Sequence, residues 1–253
     1  MLLAIDAGNS NLKLGLYQGT ELRATWRLVQ ERLDPVDDYG TKILERFGRA
    51  DIDLNEVKAV IIASVVPQLD DALRLISARY FELTPKFVDH TMNTGLKILY
   101  DEPAELGVDR IAGAVAAVEK YGAPCIVVDF GTATTFNAIN SQREYLGGII
   151  APGLMTSARA LFSRAAKLPP VTIERPEKVI GTSTVGAMQS GLFYGYAGLV
   201  DGLIERMREA LDDSPKVIAT GGLAQLMQQA SKYVDQIDPN LTLDGLRIIH
   251  DRA

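Results

Sequence analysis

Apolar and polar positions along the chain fall into short blocks, and the blocks repeat. Leu3-Ala4-Ile5-Asp6-Ala7-Gly8-Asn9-Ser10-Asn11 reads as an apolar strand that ends in an acid and bends at a glycine, with Leu12 to Tyr17 resuming as a second strand. Ile126-Val127-Val128-Asp129-Phe130-Gly131-Thr132-Ala133-Thr134 reads the same way and leads into Thr135 to Ile139. Asp6 and Asp129 stand 123 residues apart, about half the chain, which is the mark of an internal repeat. Each second strand runs into a polar turn, Gln18-Gly19-Thr20 or Asn140-Ser141-Gln142, as a hairpin does. Two duplicated α/β halves are expected, at residues 1–115 and 116–253.

Helix and strand patterns alternate through the rest. Pro35 to Arg46 predicts a helix with Tyr39, Ile43 and Leu44 on its apolar face. Lys58 to Val66 predicts a buried strand stopped by Pro67, and Gln68 to Tyr80 a helix carrying Leu69, Leu73, Leu75 and Ile76. Lys86-Phe87-Val88 is a short strand, and Pro103 opens a helix that Ala104 to Tyr121 continues. The second half offers a strand over Tyr145 to Ile150, a helix over Gly153 to Leu161 and a long helix over Thr182 to Leu211. Lys216 to Thr220 is a strand running into Gly221-Gly222, and helices over Leu223 to Ser231 and Leu241 to Ile249 follow. Such alternation is α/β.

Composition narrows the function classes. Of 253 residues, 47% are hydrophobic and 23% charged, as in an ordinary globular protein. A net charge of −6 with no basic cluster argues against a duplex DNA surface. Cys125, the single cysteine, permits no internal disulfide and no Cys-rich zinc site, and its apolar neighbours predict a buried thiol. His90 and His250 are too far apart in sequence to suggest a metal motif. The apolar runs fall short of the roughly 20 residues a membrane helix requires, and the first residues lack a signal peptide's basic region. A cytoplasmic protein is expected, with no nucleic-acid or membrane partner.

The bends carry the candidate chemistry. In Asp6-Ala7-Gly8-Asn9-Ser10-Asn11-Leu12-Lys13 a glycine lets the backbone approach a ligand, successive amides can form an anion-binding concavity, and Lys13 adds a positive charge. Asp6 is placed to hold Mg²⁺, directly or through water. The Gly-Lys-Ser/Thr of a Walker A loop is absent, and a plain polar hairpin turn is the alternative. Asp129-Phe-Gly-Thr-Ala-Thr134 offers a second loop with the Thr132 and Thr134 hydroxyls, and Thr220-Gly221-Gly222 a weaker third. In Gly107-Val108-Asp109-Arg110 the acid can accept a proton and the arginine can bind a carboxylate or phosphate, although a solvated helix face would look the same.

These motifs together, with Gly147-Gly148 to Pro152-Gly153, resemble the type III pantothenate kinases over roughly residues 2 to 247. The resemblance implies two duplicated actin-like (ribonuclease H-like) α/β domains with ATP in the cleft between them, as in the acetate and sugar kinase, Hsp70 and actin superfamily. It implies phosphorylation of the primary hydroxyl of pantothenate, the first step of coenzyme A biosynthesis. Asp6, Ala7, Gly8, Asn9, Ser10, Asn11, Leu12, Lys13 and Thr132 would hold ATP. Tyr100, Gly107, Val108, Asp109, Arg110 and Thr184 would bind pantothenate, with Asp109 as general base. Asp129 would sit at a monovalent cation site taking K⁺ or NH₄⁺, alongside the Mg²⁺ of ATP. A homodimer is implied, packed through the helix near Thr184 to Leu211. A sugar kinase or polyphosphatase of the same superfamily, and a regulator that only retains the fold, are the rival readings.

Overall fold

The computed structural model describes residues 1–29, 36–165, 167–211 and 214–253, so Pro35 lies outside the described residues. The chain forms two compact units. One comprises Met1–Leu96, Tyr100–Ala116 and Leu241–Ala253, and the other Lys97–Leu99 and Ala117–Asn240.

The first unit is built on β1 (Leu2–Ala7), β2 (Asn11–Gln18), β3 (Glu21–Val29), β4 (Ala59–Ser64) and β5 (Lys86–Phe87), in the order β3-β2-β1-β4-β5. The meander β1-β2-β3 is antiparallel, and β4 and β5 add in parallel. All six residues of β1 are buried, as a central strand covered on both faces requires. Strand alternation then sorts its side chains. Leu3, Ile5 and Ala7 join Leu12, Leu14 and Leu16 in a core with Tyr39, Ile43 and Phe47 of α1 (Val36–Arg49) and Leu69, Leu73 and Ile76 of α2 (Pro67–Phe81). Asp6 points to the opposite face.

The second unit repeats this plan. Strands β7 (Cys125–Phe130), β8 (Ala133–Ile139) and β9 (Glu144–Pro152) form the meander, with β10 (Lys216–Gly221) and β11 (Gln236–Ile237) in parallel. The order β11-β10-β7-β8-β9 continues into the two-residue β6 (Lys97–Ile98). Ile126, Val128 and Phe130 stand 123 residues after Leu3, Ile5 and Ala7 and occupy the same core positions. They pack with Leu154 of α4 (Leu154–Arg164) and with Phe193, Val200 and Ile204 of α5 (Thr184–Leu211). Asp129, like Asp6, points away from that core.

Three sequence expectations change. The last helix, α7 (Leu241–Arg252), was assigned to the second half, but it packs on the first sheet against β1, β2 and β4. Tyr17 donates to Asp244 Oδ1 at 2.7 Å, and Gly245 has no Cβ because one would lie 1.9 Å from the Ala112 carbonyl oxygen. The helix expected from Pro103 is broken. Pro103–Glu105 is a single 3₁₀ turn, Leu106 is extended, and α3 runs from Val108 to Tyr121. The helix expected over Leu223 to Ser231 shrinks to α6 (Ala224–Gln228).

Candidate active site

The first bend is closed by the Gly8 amide, which donates to the Asn11 carbonyl at 3.0 Å. Asn9 and Ser10 are exposed at its tip, whereas the side chains of Ala7 and Leu12 are wholly buried, so these two can offer a ligand only backbone groups. Asp6 pairs with Lys13 in the β1–β2 register, and Lys13 with Arg27 in β2–β3. One row across three strands thus reads acid, cation, cation. Lys13 Nζ stands 3.9 Å from Asp6 Oδ2, and Arg27 Nε donates to Asn11 Oδ1 at 2.8 Å. Arg27 escaped the sequence reading because the exposed, polar-rich β3 carries no strong strand pattern.

The same unit holds the start of α3. Gly107 precedes it, and a Cβ there would lie 2.6 Å from Asp109 Oδ1, so glycine leaves room for the carboxylate to fold back over the helix end. Asp109 Oδ1 accepts the Arg110 amide at 2.8 Å. Burial raises the Asp109 pKa above its ordinary 3.8, against the Arg110 amide and the Arg110 and Lys13 charges, which pull it down. Lys13, in the same unit, exerts the weakest of these opposing pulls. The Arg110 side chain is buried, with its guanidinium carbon 6.0 Å from the centroid of the Tyr100 ring. Burial disfavours a lone carboxylate charge, and a raised carboxylate is what a general base at neutral pH uses.

The second bend, in the other unit, is one residue shorter. Gly131 N–H donates to the Ala133 carbonyl at 3.1 Å, and Phe130 pairs with Thr134 where Ala7 pairs with Leu12. Thr132 is exposed, and its carbonyl accepts both the Gly153 amide at 3.0 Å and the Thr156 hydroxyl at 2.7 Å. Asp129 lies between Thr135 and Thr220 in the ladder, so its ladder neighbours carry hydroxyls where Asp6 has Lys13. Gly221, at φ +91°, passes so close that a Cβ would lie 2.3 Å from Asp129 Oδ1. The Thr220 hydroxyl is buried beside it with no hydrogen-bond partner among the described residues. These are oxygen donors, the set that hard cations take. Among the described residues no cluster of three His, Cys, Asp or Glu could hold a metal by itself.

Thr184 opens α5 and is exposed, after Ser183 caps the helix by accepting the Gly186 amide at 3.1 Å. The adjoining segment lines a concavity of about 560 Å³ that includes Arg175, Lys178, Thr182 and Ser183 but no residue of the second bend. Cys125 is buried, and burial pushes its thiol up to about 12, so it is inert.

The sequence model of the family described as Type III pantothenate kinase matches residues 2–206. The Type III pantothenate kinase of Koribacter versatilis (strain Ellin345) is 49% identical over 262 residues, covering 100% of this chain and 96% of that protein. The Type III pantothenate kinase of Anaeromyxobacter sp. (strain Fw109-5) is 51% identical over 252 residues, covering 100% and 99%. This chain belongs to the type III pantothenate kinase family. Solved structures extend the likeness to the fold. A Campylobacter jejuni chain described as a Baf family transcriptional activator aligns with TM-score 0.61 at 20% identity, over 98% of this chain and 97% of that one. Component A of the Acidaminococcus fermentans (R)-2-hydroxyglutaryl-CoA dehydratase aligns with TM-score 0.55 at 14% identity, over 98% and 95%. At such identities the likeness speaks for the fold alone, two actin-like α/β units, and this family shares it.

Proposed function

We propose that this member of the family transfers the γ-phosphoryl group of ATP to the primary hydroxyl of pantothenate, giving 4'-phosphopantothenate for coenzyme A biosynthesis. The observation that carries the reading is Asp109, a half-buried carboxylate at the start of α3 that desolvation raises above its ordinary pKa, with the buried Arg110 beside it.

Phosphoryl transfer asks a protein mainly for positioning and charge stabilisation. In our reading Asp6 to Lys13 and Thr132 hold the ATP phosphates. Tyr100, Gly107, Val108, Arg110 and Thr184 hold pantothenate, whose carboxylate suits the Arg110 guanidinium. Asp109 orients the hydroxyl and takes its proton as the oxygen–phosphorus bond forms and ADP departs with the electrons of the broken bond. Mg²⁺ at Asp6, and K⁺ or NH₄⁺ at Asp129, supply neutralisation of phosphate charge when bound. The fit rests on a lone acid in each bend, since Mg²⁺ with nucleotide needs only one or two protein carboxylates.

We also read α5 as the helix of a homodimer. A Cβ at Gly191, Gly195 or Gly198 would meet nothing within 4 Å, and Val185 and Leu199 are exposed on the same helix. The dependence on ATP favours the cytoplasm. No helix among the described residues is long and apolar enough to cross a membrane.

The test is ADP release by purified protein with Mg·ATP and pantothenate, run in K⁺ and in Na⁺, with hexoses as the alternative acceptors. Pantothenate-dependent release that rises with K⁺ is expected. Release that depends on a hexose instead, or on no acceptor, would replace this reading with a sugar kinase or a phosphohydrolase.

A further inference from the structure

We propose that Tyr196, in the middle of α5, is a positioning residue for phosphoryl transfer, its hydroxyl holding the second hairpin loop against the end of β9. The inference rests on the reading of that loop as a phosphate-binding element.

Tyr196 is buried, and its hydroxyl stands 2.6 Å from Thr134 Oγ1 and 2.9 Å from the Pro152 carbonyl. A carbonyl can only accept, so for both contacts to be hydrogen bonds the tyrosine proton goes to Pro152 and the Thr134 hydroxyl donates to the tyrosine oxygen. Burial raises the phenol pKa, so the proton stays through the physiological range. Thr134 and Pro152 are the residues on either side of the loop's base. Thr134 closes the bend, and Pro152 ends β9 opposite Ala133.

The adjoining contacts show why that point matters. Gly153 and Thr156 both donate to the Thr132 carbonyl, and a Cβ on Gly153 would lie 2.4 Å from the carbonyl oxygens of Gly131 and Thr132. The backbone of 131–132 therefore lies close against the β9–α4 junction, too close for a side chain at 153. Its carbonyls are turned inward to Gly153 and Thr156, while the Thr132 side chain is left exposed for a ligand. Tyr196 fixes the junction from the other side. Misplacing a phosphate contact by about 1 Å costs up to 10²-fold in rate. Tyr196 touches no substrate in this account; it acts through Thr134.

The full chain is assayed as Tyr196→Phe, Thr134→Val, the double variant, and Thr134→Ser. Each is measured by steady-state kinetics for both substrates, by calorimetry with Mg·ADP and by thermal unfolding. Tyr196→Phe is expected to lower kcat/KM for ATP about tenfold and to weaken Mg·ADP, leaving KM for pantothenate within twofold. Thr134→Val should lose activity in the same direction but no further, since the Pro152 contact survives it, and the double variant should be no worse than Tyr196→Phe, which alone already removes the Thr134 contact. Thr134→Ser should restore near wild-type values. Kinetics and nucleotide affinity unchanged in Tyr196→Phe, with only the melting temperature lowered, would overturn the inference and leave a packing role. Multiplying losses in the double variant would overturn it as well. Wild-type protein that binds no Mg·ADP would instead remove the loop reading on which the inference stands.

Discussion

The two hairpins of this chain share a topology, yet their registers differ by one residue and they are held by different means. In the first, Asp6, Lys13 and Arg27 form a charged row and the tip of the bend is exposed. In the second, the bend is one residue shorter, the acid faces threonines, and the backbone is fixed by Gly153, Thr156 and Tyr196. Duplication kept the scaffold, because Leu3, Ile5 and Ala7 and their counterparts Ile126, Val128 and Phe130 serve the same core. The bends themselves diverged. The first bend pairs its acid with cations; the second sets its acid beside hydroxyls in a hydrogen-bonded frame. A further asymmetry follows the fifth strand of each sheet. Past β5, β6 and a 3₁₀ turn comes α3, with Asp109 in its first turn, and after β11 comes α7, with Asp244 in its first turn accepting the Tyr17 hydroxyl. Asp109, raised by burial, is the one we propose as the base.

The largest effect is expected at Asp109. Asp109→Asn should lower kcat by about 10²–10⁴-fold while nucleotide affinity holds, measured by kinetics and calorimetry together. Turnover near wild type would remove the base from the first copy. Next comes the charge difference between the loops. Lys13→Met should weaken Mg·ATP by about 10- to 100-fold and flatten its salt dependence, the scale of a charge-assisted hydrogen bond. Thr132→Ala should cost less and leave the salt dependence unchanged. Equal losses in both would break the contrast.

Rigidity gives a smaller, opposite contrast. Gly153→Ala sets a methyl 2.4 Å from two carbonyl oxygens and should destabilise by about 1–3 kcal/mol in thermal unfolding. Gly8→Ala meets only the Asn11 carbonyl, at 3.5 Å, and should be close to neutral in the same measurement. The smallest effect is in pH. The raised Asp109 pKa means the acid limb of kcat/KM for pantothenate should lie above the ordinary 3.8 and vanish in Asp109→Asn. The sign for stability is opposite to that for activity. The folded state binds this proton more tightly than the unfolded chain, so Asp109's contribution is present below 3.8 and lost as pH rises through the folded value.

Much of the scaffold was legible because the two central hairpins are apolar, alternate cleanly and bend at glycine. β3 was not, since an edge strand with an exposed polar face has no continuous apolar run. β6 and β11, of two residues each, are below any periodic signal. The break at Leu106-Gly107 depends on how Asp109 folds over the helix end, and the docking of α7 on the first sheet depends on Gly245 meeting Ala112. Neither leaves a mark in local pattern. The motif residues of both bends and of 107–110 stood out by type and spacing. Their supports did not, because Arg27, Thr156 and Tyr196 reach them from 16 to 62 residues away.

The account's central claim is that a phosphoryl group reaches a hydroxyl of pantothenate. ³¹P NMR of a reaction containing the protein, Mg·ATP, K⁺ and pantothenate reads the product directly, where ADP release alone does not distinguish transfer from hydrolysis. A new phosphomonoester signal, coupled to the methylene protons of the primary alcohol, is the predicted result. ADP accompanied by inorganic phosphate, with no phosphomonoester, would contradict it.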